Sequence, residues 1–346
     1  MKRVFLALLI LIFTAFPVSS LDMTAPTVPE MGREYMPDNT ESFGEGIWTI
    51  VKAGIAVVKP ELAKCCKSCF MIAAVGLLLS LFQNLTGMAK QGVGIVAALL
   101  TGCVLLETGN SMIAVASEAV QTISEYGKLL LPVMAGTLAA QGCGATSAAL
   151  YASSAVFCGI LGKLITGIMV PGIYIFLSLS VAGAAFENQM LGKLKEMILK
   201  LCSWALKTLL SFFTGFLAIT GVVSGSTDAA AAKLTKAAIS GMVPVVGGIL
   251  SEATESVLVG AGMVKNTAGV YGLLAVASVS IGPFLQIGVR YLLLKLTAAF
   301  CELFSGKQVS QLLKDYSGAM GILLGMTFAC TMLLFISVVC FMKGVG

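Results

Sequence analysis

The sequence contains no histidine. That removes Ser-His-Asp and Cys-His catalysis, the HExxH metalloproteases and histidine-ligated zinc. Charge is scarce as well: Asp, Glu, Lys and Arg make up 11% of the chain, against about 25% in a soluble domain. With 58% hydrophobic residues, this excludes the soluble globular classes. The short segments of alternating polarity that build an outer-membrane barrel are missing too, because the apolar runs are continuous. Nucleotide motifs are absent. Gly159-Ile-Leu-Gly162-Lys163 lacks the spacing of a phosphate loop, and Gly92-Val-Gly94 has no third glycine in place and follows no strand. The residues imply no enzyme and no cofactor. The net charge of +5 implies no nucleic-acid partner, since the basic residues sit between apolar segments, where positive-inside topology accounts for them.

What remains is the composition of an all-α polytopic membrane protein. Residues 1–20 have the form of a cleavable signal peptide: Lys2 and Arg3, an apolar Val4–Phe16, Pro17, then Val18 and Ser20 before Leu21. An uncleaved anchor is the other reading. Residues 21–64 follow as an extracytoplasmic acidic arm and an interfacial helix. The arm carries Asp22, Glu30, Glu34, Asp38, Glu41 and Glu45 against Arg33 alone, and Pro26, Pro29 and Pro37 predict an extended chain. Gly46–Lys59, with Trp48, reads as a short amphipathic helix on the outer face.

The polytopic helical domain is 65–346, with about seven or eight membrane segments expected. The first two are Ser68–Ala89 and Gly92–Leu106. Glu107–Lys128 has a helical pattern, and its three acids, Glu107, Glu118 and Glu125, with no base before Lys128, favour the outer side. Leu129–Gly162 is uncharged and long enough for more than one segment, with a flexible run at Gln141-Gly142-Cys143-Gly144. Leu164–Phe186, Thr208–Ser226, Gly241–Gly262, Asn266–Val289 and Ser317–Met342 complete the set. The basic stretches Glu187–Lys207 and Arg290–Tyr316 read as cytoplasmic loops. The ten cysteines lie mostly in apolar runs. Cys65, Cys66 and Cys69 form a CCxxC at the mouth of the first segment, either interfacial thiols or a metal or redox pair.

Leu-Pro-Val-Met-Ala-Gly-Thr-Leu at 131–138 returns 112 residues later as Ile-Leu preceded by Val-Pro-Val-Val-Gly-Gly, with Pro132 matching Pro244 and Pro171 matching Pro283. This suggests an internal repeat over 91–190 and 203–302, parallel or inverted. Pro132 with Gly136, Pro171, Pro244 with Gly247 and Gly248, and Pro283 are candidate helix breaks, each either a kink or a break that lines a cavity. Glu252 and Glu255 are the candidate pore or cavity acids, three residues apart and so on one helix face. Three readings stand: they line a polar cavity, they pair with Lys163 or Lys233, or they lie near water in a short re-entrant helix.

The segments LLPVMAGTLAAQG at 130–142, FFTGFLAITGVVSGSTDAAAAKLTKAAISGMVPVVGGILSEATESVL at 212–258 and VYGLLAVASVSIGPFLQIGVRYLLLKLTAAFCELF at 270–304 carry a resemblance. The chain from about residue 60 onward resembles the stage III sporulation protein AE family. The resemblance implies a multi-pass subunit of the mother-cell membrane surrounding the forespore. It would belong to a channel-like or secretion-like complex supporting forespore development and late forespore gene expression. Implied partners are other stage III sporulation A-operon proteins, including an ATPase, and, indirectly, stage II sporulation protein Q across the intermembrane space. Membrane lipid is the remaining partner. A stand-alone secondary transporter for a small solute or ion is the alternative. The resemblance brings no catalytic residues.

Overall fold

The last apolar segment of the chain is the axis of the structure. In the computed structural model, residues 25–37, 43–86, 90–186, 190–213, 215–216, 247–304 and 307–343 are described, with side chains left aside at 79, 82–91, 247–266, 304, 307 and 343. Among them no strand occurs. The helices are α1 Glu30–Arg33, α2 Phe43–Thr86, α3 Lys90–Ala140, α4 Gly144–Leu164, a π-turn at Ile165–Met169, α5 Val170–Phe186, α6 over 190–213, α7 Gly247–Phe304 and α8 Lys307–Lys343. On α8, Leu312, Leu313, Tyr316, Ala319, Met320, Leu323, Met326, Leu333, Val338 and Phe341 are fully buried. It packs against α3, α4, α5 and α7.

Among the described residues, four stretches are long and apolar enough to cross a bilayer: Gly92–Ala140, Gly144–Phe186, Thr267–Leu303 and Gln308–Met342. They are longer than the segments expected from the sequence, because polar stretches do not end the helices; the expected segments Thr208–Ser226 and Gly241–Gly262 lie in part outside the described residues. At 1.5 Å per residue, the 51 residues of α3 reach about 77 Å, more than twice the roughly 30 Å of a hydrocarbon core. The expected interfacial helix and first segment likewise merge into α2, through Pro60. The basic stretch after Phe186 is the helix α6, and Arg290–Tyr316 forms the α7–α8 hairpin.

The prolines do not interrupt the chain as expected. Pro132 and Pro283 lie inside continuous helices, where the neighbouring turns retain their own hydrogen bonds. At Pro171 the helix widens instead of breaking: the Val170 amide donates to the Ile165 carbonyl, five residues back. This displaces the turn that the pyrrolidine ring would otherwise strike. Gly247 and Gly248 open α7, and Pro244 lies outside the described residues. The repeat offset places the α3–α4 turn at 141–143 on 253–255, which are helical within α7, and it pairs the π-turn before Pro171 with plain α-helix before Pro283. The two halves therefore differ at these points.

The run expected to be flexible at 141–144 is a tight hairpin. Gly142 has φ of +89°. Its amide donates to the Ala139 carbonyl at 2.9 Å, and the Cys143 amide to the Leu138 carbonyl at 3.4 Å. This is the paired bonding of a Schellman terminus, whose left-handed residue is normally glycine. Ser147 Oγ then donates to the Ala135 carbonyl at 2.6 Å and ties α4 back to α3. Gly142→Ala is expected to cost about 1–2 kcal/mol, read as a lower midpoint of thermal unfolding in detergent, while Gly142→Asn loses less.

Candidate functional site

Between Leu106 and Leu129, α3 has two unlike faces. Met112, Ile113, Ala116, Ala119, Val120, Ile123 and Tyr126 are buried against the bundle. Glu107, Ser111, Ala114, Glu118, Gln121, Glu125 and Lys128 are exposed. They alternate at spacings of four and three, which keeps them on one helix face. Among the described residues, α3 exposes no large hydrophobic side chain from Glu107 to Lys128. The stripe runs about 32 Å along the helix. Gln121 Nε2 donates to Glu125 Oε1 at 3.0 Å along it.

The height of this stripe decides its meaning. Its acids favour the outer side of the membrane in the sequence, and in the structure α3 runs parallel to α8 and alongside its apolar middle. Gly109 faces Tyr316, Cys330 Sγ donates to the Val120 carbonyl at 3.8 Å, and Gly127 faces Leu334. Antiparallel α7 is fixed at the same height by the hydrogen bond of 2.8 Å between the Ser280 and Thr331 hydroxyls. If α7 and α8 cross a bilayer, Glu118 lies near its centre. An acid facing lipid there costs about 2.5–3.5 kcal/mol. Glu125, about 10 Å further along the helix, adds a smaller cost, and Glu107, about 16 Å the other way, lies at the edge of a core roughly 30 Å thick. This face therefore meets water or polar protein. At the same level, the π-turn and the helices flanking it expose Val156, Ile160, Ile168 and Ile175. Gly162, close to Ser124 of α3, sets that level. One side of the bundle is thus suited to lipid and another is not.

The N-terminal arm supports the same division. It is not extended: residues 25–37 fold onto α7 and α3, with Val28 and Tyr35 buried. Gly32 lies against Ser278 and Val279 of α7 so closely that a Cβ would come within 2.7 Å of both side chains. Tyr35 covers Gly282, and Tyr126 of α3 donates to the Pro26 carbonyl at 3.4 Å. Burial, helped by the neighbouring Glu34, raises the Tyr35 phenol above its ordinary pKa. Glu30, Arg33 and Glu34 point outward. Non-helical backbone at membrane depth survives only when buried in protein or lining a wet cavity.

Two ion pairs, one nearly buried and one half-buried, tie the opposite, basic end of the bundle. Lys195 of α6 bonds Asp315 of α8, which also accepts from Gln311 Nε2 at 3.0 Å. Arg290 of α7 bonds Glu61 of α2. Cys65 and Cys69 are buried near Arg290 and Thr297, while Cys66 is exposed. Among the described residues no three potential ligands gather to hold a metal.

Of the candidate residues read from sequence, the side chains of Glu252 and Glu255 lie outside the described residues. Pro132 and Gly136 sit near Gly269–Gly272 on α7, whereas Pro283 is about three turns further along. They do not meet. The missed residues are those of the stripe and the arm. The stripe's periodicity was visible, but its height was not. Val28, Gly32 and Tyr35, at spacings of four and three, were the available sign that the arm folds down.

A profile of the family described as stage III sporulation protein AE matches residues 33–344. The stage III sporulation protein AE of Bacillus subtilis (strain 168) is 27% identical over 236 residues, covering 67% of this chain and 58% of that relative's length. No solved structure matches.

Proposed function

The chain belongs to the stage III sporulation protein AE family, and on that premise we propose that it is a multi-pass subunit of the sporulation channel or secretion-like complex. In this reading it sits in the mother-cell membrane around the forespore and supports forespore development and late forespore gene expression. It performs no catalytic step. Other stage III A-operon proteins, including an ATPase, supply the energy, and stage II sporulation protein Q is reached indirectly across the intermembrane space. Further crossings beyond the four apolar rods come from the part of α2 after Ser68 and from Thr208–Ser226, which begins in the last turns of α6. The basic end, with Lys193, Lys195, Lys200 and Arg290, faces the cytoplasm.

One observation carries this reading: the polar stripe of α3 at the height of the apolar middle of α8. A single bundle cannot enclose a lumen with one face, so the stripe forms one wall of an aqueous path completed by neighbouring subunits. The test is thiol accessibility in sporulating cells, with the exposed Cys66 and Cys103 changed to serine. Glu118→Cys is expected to react with a membrane-impermeant maleimide, and Val156→Cys to stay unreactive. Equal protection of both sites would defeat the proposal. Robust solute flux by the purified chain alone in liposomes would replace it with the stand-alone transporter.

A further inference from the structure

On the side away from the stripe's polar residues, α2, α7 and α8 enclose a groove of about 290 Å³. Its walls include Ile47 and Ile50 of α2, Phe284 of α7, and Phe328, Met332 and Phe335 of α8. The only hydroxyls on it, Ser280 and Thr331, are already committed. They bond each other at 2.8 Å, and whichever of the two accepts in that bond donates its own proton to the carbonyl four residues back in its helix. No polar surface is left for a headgroup, a solute or water. Phe328 is 45% exposed at the mouth.

We propose that this groove holds the hydrocarbon tail of a bilayer lipid. Three features select that occupant. The first is depth: Ser280 and Thr331 mark the level of Val120 and Cys330, the middle of the apolar band. On the sides of the bundle that face lipid, hydrocarbon is the solvent at that level. The second is chemistry: an extended peptide would leave its N–H and C=O groups unpaired against these walls. The third is size. A tail is flexible and one methylene wide, so part of its length can lie along a groove of about 290 Å³, whereas a helix is a rigid rod about 10 Å across that meets such a groove only through its side chains. A dry void between aromatic walls forfeits dispersion contacts that such a tail restores. The proposal rests on α7 and α8 crossing the membrane and is independent of whether α3 lines a conduit.

The test uses the full chain reconstituted in phosphatidylglycerol–phosphatidylcholine vesicles containing a phospholipid with a diazirine in mid-chain. After irradiation, peptides spanning 47–51 and 328–335 are expected to carry at least fivefold more label than the lipid-facing peptide around Val156. Ala277→Phe, which fills the groove, is expected to bring that label down to the Val156 level. Met332→Ala, which enlarges it, is expected to raise the label, so a folding failure of the first variant leaves the test intact. Uniform labelling of all three peptides, or label unmoved by both variants, overturns the proposal. So does a groove less labelled than Val156 with copies of the chain cross-linked through it.

Discussion

A chain carrying Glu118→Leu, Gln121→Leu and Glu125→Leu together is expected to fold, enter the membrane and still leave cells unable to form heat-resistant spores. The direction of the stability change separates the possible settings of α3. Against lipid, three leucines would relieve about 2.5–3.5 kcal/mol for each acid removed and would improve a poor surface. In bulk water they would create an exposed apolar patch of the kind that drives aggregation. Lining a narrow wet path, they leave the fold alone and dry the path, because the helix's packing residues lie on its other side. Spore counts, membrane abundance and thermal unfolding in detergent are read on the same strains. Glu118→Gln with Glu125→Gln keeps the surface polar and is expected to sporulate. Normal spore formation by the triple leucine variant would show that the stripe meets no water that matters.

Lys195→Met is expected to lower stability by about 3–5 kcal/mol, the range for removing one partner of a buried pair. The two side chains retain only 9% and 12% exposure, so Asp315 is left charged and desolvated with Gln311 as its remaining partner. Adding Asp315→Leu removes the stranded charge and is expected to recover most of the loss, since apolar replacements of buried pairs are often neutral or better. Unfolding midpoints of the two single variants and the double variant close the cycle. If neither single variant lowers the midpoint, water reaches the pair and it holds nothing.

The class of the fold was legible because scarce charge and continuous apolar runs leave few options for a backbone that must satisfy itself. The amphipathic pattern of 107–128 was legible too, and so was its helical period. What the pattern lacks is a vertical coordinate. Three acids in 22 residues carry no height until Val120 is found against Cys330, within the apolar stretch of α8. The arm was misread for a related reason: prolines and acids describe its exposed side, whereas Gly32 and Tyr35 act only through the α7 surface they meet. The ion pairs join residues 120 and 229 positions apart, a separation at which no local spacing gives warning. The prolines leave kink or break open in the sequence, and packing and one π-turn carry the helices through Pro132, Pro171 and Pro283.

That π-turn sets how the rod from Gly144 to Phe186 tolerates a change of length. Leu161, Ile165, Met169 and Ile173 are all buried, three successive steps of four, where a plain α-helix advances about 10.8 residues in three turns. The segment holds one residue more than its two ends require to stay in phase. A relation of this chain lacking a residue between Leu161 and Ile173 keeps both faces on an ordinary helix. The same gap in the middle of α8 rotates everything beyond it by about 100° and turns the axis of the bundle inside out. Alignment gaps among such chains should therefore collect at 162–172 and avoid 312–341.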